Sequence, residues 1–148
     1  MELADIEPGM LMLEPSAGRG AIALPAAAAG ATVDCCEVMH ENHAHLLAQP
    51  GLHAVTRQDF LTVPPEPFYD RVVMNPPFHT TRDADPGLGI AFLRAAQRGL
   101  SPSGVLWLVA NRHLPYDRVL AELFRTVEDV GADTAFRLIR AAGPIRTR

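Results

Sequence analysis

The chain has 148 residues, enough for one domain with one core, and its 48% apolar and 20% charged composition is that of a globular protein. All thirteen basic residues are arginine and the net charge is −4, which excludes a generally basic nucleic-acid binder. No run approaches the roughly 18 consecutive apolar residues of a membrane span, and the acidic start Met1-Glu2-Leu3-Ala4-Asp5 lacks the basic region of a signal peptide, so a cytoplasmic setting is expected.

In chain order, Leu11–Glu14 is a short buried β-type run that leads into Glu14-Pro15-Ser16-Ala17-Gly18-Arg19-Gly20. A helical stretch follows, with Pro25 inside it; proline costs about 3 kcal/mol in a helix interior, so this helix is kinked or short. Thr32–Val38 is the second strand. Its adjacent Cys35 and Cys36 point to opposite faces and form neither a disulfide nor a metal clip. His40, His43 and His45 are spaced so that a helix does not gather all three on one face; a polar helix surface is expected there, and no metal site. His53–Gln58 is the third strand, with Asp59-Phe60 after it. Pro64, Pro65 and Pro67 mark a loop, and Arg71–Met74 is the fourth strand.

Asn75-Pro76-Pro77-Phe78 follows that strand directly, and Thr80–Gly89 reads as a loop able to close over a substrate. Val105–Ala110 is the fifth strand, with Asn111, Arg112 and His113 after it. A helix near Arg118–Phe124 precedes two runs, Val127–Val130 and Phe136–Ile139, separated by Gly131-Ala132-Asp133. Two strands around a short turn form an antiparallel hairpin. The alternation of strands and helices specifies an α/β fold whose sheet is mostly parallel, with five parallel strands and the terminal hairpin making seven. Arg137, Arg140, Arg146 and Arg148 make the C-terminal end locally basic and read as a solvated tail.

Four features carry chemistry. Gly18 and Gly20 let backbone approach a ligand at the carboxyl end of a strand, where open α/β sheets bind. No Gly-Lys-Ser/Thr is present, and the acid Glu14 before the glycines favours an amine-bearing or cationic ligand over a pyrophosphate. Glu37, 17 residues after Gly20, is placed to accept hydrogen bonds from ribose hydroxyls. Asp59 is a candidate acceptor for an adenine amine and Phe60 for packing on its ring. In Asn75-Pro76-Pro77-Phe78 the prolines end sheet pairing and stiffen the chain. The Asn75 side-chain oxygen and the Pro76 carbonyl are then free to accept the two hydrogens of an exocyclic amine, with Phe78 stacked on its ring.

These motifs resemble the class I S-adenosylmethionine-dependent methyltransferases, specifically the amino-methyltransferases with an Asn/Asp-Pro-Pro-aromatic motif. Leu13-Glu14-Pro15-Ser16-Ala17-Gly18 and the run Tyr69–Phe78 are similar to adenine-N6 DNA methyltransferases. Asn75-Pro76-Pro77-Phe78-His79, the run Leu108–Tyr116 and Phe136–Ala141 are similar to the small-subunit ribosomal RNA guanine-N2 methyltransferases. The resemblance implies a Rossmann-like seven-stranded sheet with helices on both faces, in a single domain over 1–148. It implies S-adenosyl-L-methionine as cofactor, bound by Glu14, Pro15, Ser16, Ala17, Gly18 and Gly20 from the first turn. Glu37, Val38, Asp59, Phe60 and Asn75 complete that set. Asn75, Pro76, Pro77 and Phe78 take the catalytic role, and Phe78, His79, Asn111 and Arg112 line the substrate side.

The expected function is methylation of a nucleobase amine, guanine-N2 of ribosomal RNA first. Adenine-N6 of DNA or RNA, glutamine-N5 of a protein, and a cofactor-binding subunit that requires a partner are the alternatives. Nucleic acid, RNA before DNA, is the expected partner, together with a partner subunit or a second copy; no membrane association is expected.

Overall fold

The computed structural model describes residues 6–15, 23–37, 40–49, 51–56, 69–74, 86–111, 116–132 and 136–146. Seven strands and four helices follow in the order β1 (Leu11–Glu14), α1 (Ala23–Ala28), β2 (Thr32–Cys36), α2 (His40–Leu47), β3 (Ala54–Thr56), β4 (Tyr69–Met74), α3 (Pro86–Gly99), β5 (Leu100–Asn111), α4 (Asp117–Leu123), β6 (Phe124–Ala132) and β7 (Phe136–Pro144). The strands form one sheet in the order β3-β2-β1-β4-β5-β7-β6. The first five are parallel, with Leu13 opposite Asp34 on one side and Val72 on the other. β7 runs antiparallel to β5 and β6.

Alternation along each strand sends side chains to two cores, one on each face. Leu13, Val72, Met74, Leu106, Leu108, Ile139 and Ala141 pack against Phe92, Leu93 and Ala96 of α3 and Leu120 of α4. Met12, Val33, Cys35, Val73, Val105 and Trp107 face the other way, against Ala26 of α1 and Leu46 of α2. The adjacent cysteines divide as expected: Cys35 lies in the second core and Cys36 packs on the first. Pro25 lies within the described span of α1, Ala23–Ala28. Polar bonds also stitch the strands. Leu11 N–H donates to the Asp70 carboxylate at 2.9 Å, and the Tyr69 hydroxyl donates to Asp34 at 2.7 Å, reaching from β4 to β2 across β1.

Several boundaries depart from the sequence expectation. β2 stops at Cys36, which leaves Glu37 just past the strand. β5 begins at Leu100, but its register against β4 jumps between Leu100 and Val105, so Ser101–Gly104 is an irregular insertion and the regular ladder is the expected run. β6 continues through Gly131 and Ala132, so the hairpin tip falls at 133–135, outside the described residues. Pro86–Gly89, assigned to a closing loop, are instead helical and belong to α3, while the rest of that expected loop, 80–85, lies outside the described residues. Of the four arginines read as a solvated tail, Arg148 lies outside the described residues and the other three are tied into the fold. Arg137 and Arg140 stand on β7, and Arg146 donates to the main-chain carbonyls of Gln97 and Leu100. Among the described residues no helix is long and apolar enough to cross a membrane.

Candidate active site

From β1 the chain lays its next strands outward on one side, β2 then β3, and afterwards crosses to the other side with β4 and β5. The order therefore reverses between β1 and β4. In open α/β sheets the crevice beyond the carboxyl ends at such a switch point is where ligands bind. Because these strands are parallel, Glu14, Cys36, Met74 and Asn111 all end their strands on the same edge.

Two acids stand there. Glu14 ends β1 and is only 4% exposed; Glu37 follows β2 and is only 7% exposed. Adjacent strands lie about 4.8 Å apart, so the two carboxylates belong to one patch of the edge. The register sets Glu14 against Cys35, whose thiol is pushed up to about 12 by burial first and by the Glu14 carboxylate second. Buried carboxylates are stable only beside hydrogen-bond donors or positive charge. An acceptor-rich pair at a switch point thus suits ammonium and hydroxyl groups and is unsuited to phosphates. Pro15 is also buried here, against the end of β1.

Met74, the last residue of β4, is fully buried beside β1, so the chain enters Asn75-Pro76-Pro77-Phe78 at the switch point itself. Asn75, Pro76, Pro77, Phe78, His79 and Arg112 lie outside the described residues, as do Ser16, Ala17, Gly18, Gly20, Val38, Asp59 and Phe60. Of the expected substrate-side residues, Asn111 is described; it closes β5 and pairs in register with Phe136 of β7.

Next to Asn111 the structure holds two arrangements that sequence reasoning missed. Arg137 is clamped by two carboxylates, Asp117 at 2.6 and 3.0 Å and Asp129 at 2.8 and 3.2 Å. These hydrogen bonds, chiefly those from Arg137, hold the Asp117 carboxyl below the usual carboxylate range, and in turn raise the Arg137 guanidinium. The clamp joins the start of α4 to both strands of the hairpin. Tyr116, fully buried at that end, packs its hydroxyl against Gly89 in the first turn of α3. Among the described residues the hydroxyl has no hydrogen-bond partner, and burial raises its pKa. The partners are 8 and 20 residues apart in the clamp and 27 in the Tyr116–Gly89 contact, so no local pattern points to them; Leu114-Pro115-Tyr116 was the nearest signal.

Among the described residues no group of three His, Cys, Asp or Glu side chains is placed to hold a metal ion. α2 buries Leu46 and leaves His43 and His45 half-buried.

Comparison with known proteins places these features in a wider set. The family model described as methyltransferase small domain matches residues 9–140. The ribosomal RNA small subunit methyltransferase C of Alcanivorax borkumensis is 40% identical over 95 residues, 64% of this chain and 29% of that protein. The ribosomal RNA large subunit methyltransferase G of Ectopseudomonas mendocina is 39% identical over 84 residues, 57% of this chain and 22% of that protein. The chain thus spans less than a third of the curated relatives it matches. Among solved structures, the T. thermophilus 16S rRNA N2 methyltransferase in complex with AdoMet and guanosine superposes with a TM-score of 0.76 at 29% identity, covering 92% of this chain and 38% of that one. The seven-stranded sheet is the Rossmann-like sheet of these enzymes, as its topology alone indicates.

Proposed function

This chain belongs to the methyltransferase small domain family, and we propose that it forms a single catalytic domain that transfers a methyl group from S-adenosyl-L-methionine to an exocyclic amine of ribosomal RNA, guanine-N2 first. The observation that carries the reading is the switch-point edge: two buried carboxylates, Glu14 and Glu37, beside the strand end from which Asn75-Pro76-Pro77-Phe78 departs.

The acceptor set fits the cofactor, which supplies a methyl group activated on a sulfonium. Glu14 accepts from its cationic amino-acid end and Glu37 from its ribose hydroxyls. Gly18 and Gly20 admit close backbone approach; Asp59 and Phe60 serve the adenine. On the substrate side, the Asn75 side-chain oxygen and the Pro76 carbonyl accept the two amine hydrogens. This draws electron density onto a nitrogen whose lone pair is otherwise delocalised into the ring. Phe78 stacks on the base and fixes its plane. With the cofactor bound, the amine nitrogen held by Asn75 and Pro76 would take the sulfonium methyl, the S–C electron pair would stay with the sulfur, and the amine proton would leave to solvent afterwards. Orientation is the main requirement and no strong base is needed.

Relatives that act on RNA of both ribosomal subunits support RNA over DNA and over protein glutamine as substrate. The guanosine in the T. thermophilus complex supports guanine over adenine. A ribosomal RNA substrate sets the reaction in the cytoplasm, where ribosomes are built.

Transfer of tritium from labelled S-adenosylmethionine to ribosomal RNA, genomic DNA and protein tests the substrate class; label confined to DNA rejects the ribosomal reading. Calorimetry with S-adenosylhomocysteine tests the site independently, and absence of binding rejects the methyltransferase reading altogether.

A further inference from the structure

Charge is unevenly distributed over this acidic chain. A cleft of about 370 Å³ opens between α3, α4 and the segment after β7, lined by Arg94, Arg98, Glu122, Leu123, Ile145 and Arg146 among others. Arg118 flanks it from α4 through its ion pair with Glu122. Three guanidiniums therefore line the cleft with one carboxylate, and a fourth pairs with that carboxylate from its flank, in a chain of net charge −4. Arg94 and Arg98 are one helical turn apart, on the same exposed side of α3. Glu122 does not quench the patch. Its contacts with Arg94 at 3.9 Å and Arg118 at 3.5 Å are long and solvent-exposed, the kind of pair that yields readily to a competing anion. Arg146 is held by main-chain carbonyls at the end of α3, which orients it without neutralising its charge. Leu123 and Ile145 give the cleft an apolar side on which a sugar can rest.

Its position relates the cleft to the catalytic edge. α3 begins at the edge where β4 and β5 end and runs to the opposite one. At 1.5 Å per residue, Arg94 and Arg98 lie about 12 and 18 Å along it from Pro86. The cleft lies toward the edge opposite the switch point, so a strand whose target base sits at the switch point reaches it only with phosphates several nucleotides away. We propose that this arginine cleft holds the phosphodiester backbone of the RNA at such a distance from the target nucleotide. The inference rests on the ribosomal RNA reading above and adds the surface that grips the substrate.

Two measurements on the full chain test it: anisotropy with a labelled guanine-containing RNA oligonucleotide across a salt series, and steady-state methylation of ribosomal RNA transcripts. The double variant Arg94→Gln/Arg98→Gln is expected to bind this RNA about threefold to tenfold more weakly at physiological salt. Its slope of log affinity against log salt is expected to be shallower by about 1. KM for RNA rises while kcat at saturating RNA and affinity for S-adenosylhomocysteine stay unchanged, and Arg94→Lys/Arg98→Lys restores most of the binding. Unchanged RNA affinity and salt slope in a wild-type enzyme that does methylate RNA overturn the cleft and leave the activity standing. Loss of cofactor binding in the wild type fails the underlying reading instead. If charge removal alters the oligomeric state and leaves RNA affinity untouched, the cleft belongs to a protein contact and the proposal is wrong.

Discussion

Gly89→Ala tests whether the first turn of α3 is built against Tyr116 as tightly as the structure shows. A Cβ at Gly89 runs into the Tyr116 hydroxyl and stands 2.7 Å from Cζ and 3.1 Å from Cε1, and Tyr116 is fully buried. Forcing a methyl into such a contact costs about 1–3 kcal/mol. Alanine in place of glycine in a helix returns up to about 1 kcal/mol of propensity. The clash wins because the tyrosine ring is rigid, and a net loss of about 1–2 kcal/mol is expected. At this chain length that lowers Tm by roughly 2–8 °C. Tyr116→Phe removes a hydroxyl that has no hydrogen-bond partner among the described residues, so it is expected to change stability by less than about 1 kcal/mol. It also removes the closest atom of the clash. Urea unfolding of the two single variants and the double variant closes a cycle in which the substitutions are expected to couple favourably by about 1 kcal/mol or more. A Gly89→Ala protein as stable as the wild type, or a cycle without coupling, refutes the packing argument.

Asn75→Ala should abolish methyl transfer with little change in S-adenosylhomocysteine affinity by calorimetry; a large loss of affinity contradicts the amine-acceptor role. Glu37→Gln should do the reverse, weakening cofactor binding about tenfold or more, the loss of a charge-assisted hydrogen bond, while kcat at saturating cofactor changes less. The Arg137 bonds depress the Asp117 pKa, so the pair adds stability above the unfolded carboxylate value near 3.9 and loses it as pH falls through the lower folded value. Asp117 is largely exposed, which limits that contribution to less than about 1 kcal/mol, and Asp117→Asn should flatten the acid limb of a stability–pH profile by that amount. The Cys35 thiol, raised to about 12 by burial, should resist iodoacetamide at pH 8 until the protein unfolds; rapid native alkylation, read by peptide mass mapping, contradicts its place in the core.

Most of the strand order along the chain was legible from local patterns. The runs at Leu11–Glu14, Arg71–Met74 and Val105–Ala110 announce themselves because strands buried on both faces are continuously apolar. The prolines of Asn75-Pro76-Pro77-Phe78 and Pro25 were legible as breaks in a pattern because proline acts on the chain within a few residues. Glu14 and Glu37 were recognisable as candidates because a strand end followed by glycines has a restricted set of uses. Boundaries were less legible. β7 runs through Arg140 to Pro144 because β5 and β6 supply ladder partners on both sides, which composition alone does not reveal.

The sequence by itself determined the α/β class, which is written in periodicity, and it alone carries the chemistry proposed for Asn75-Pro76-Pro77-Phe78. Only the tertiary structure decided that Arg137 is clamped by Asp117 and Asp129, that Gly89 lies against Tyr116, and that Arg94 and Arg98 of α3 face one cleft with Arg146. Each of these joins residues about 8 to 52 positions apart. Their meeting depends on how the sheet is ordered and how its helices are laid across it, and no local pattern of residues encodes a distance between segments that only folding brings together.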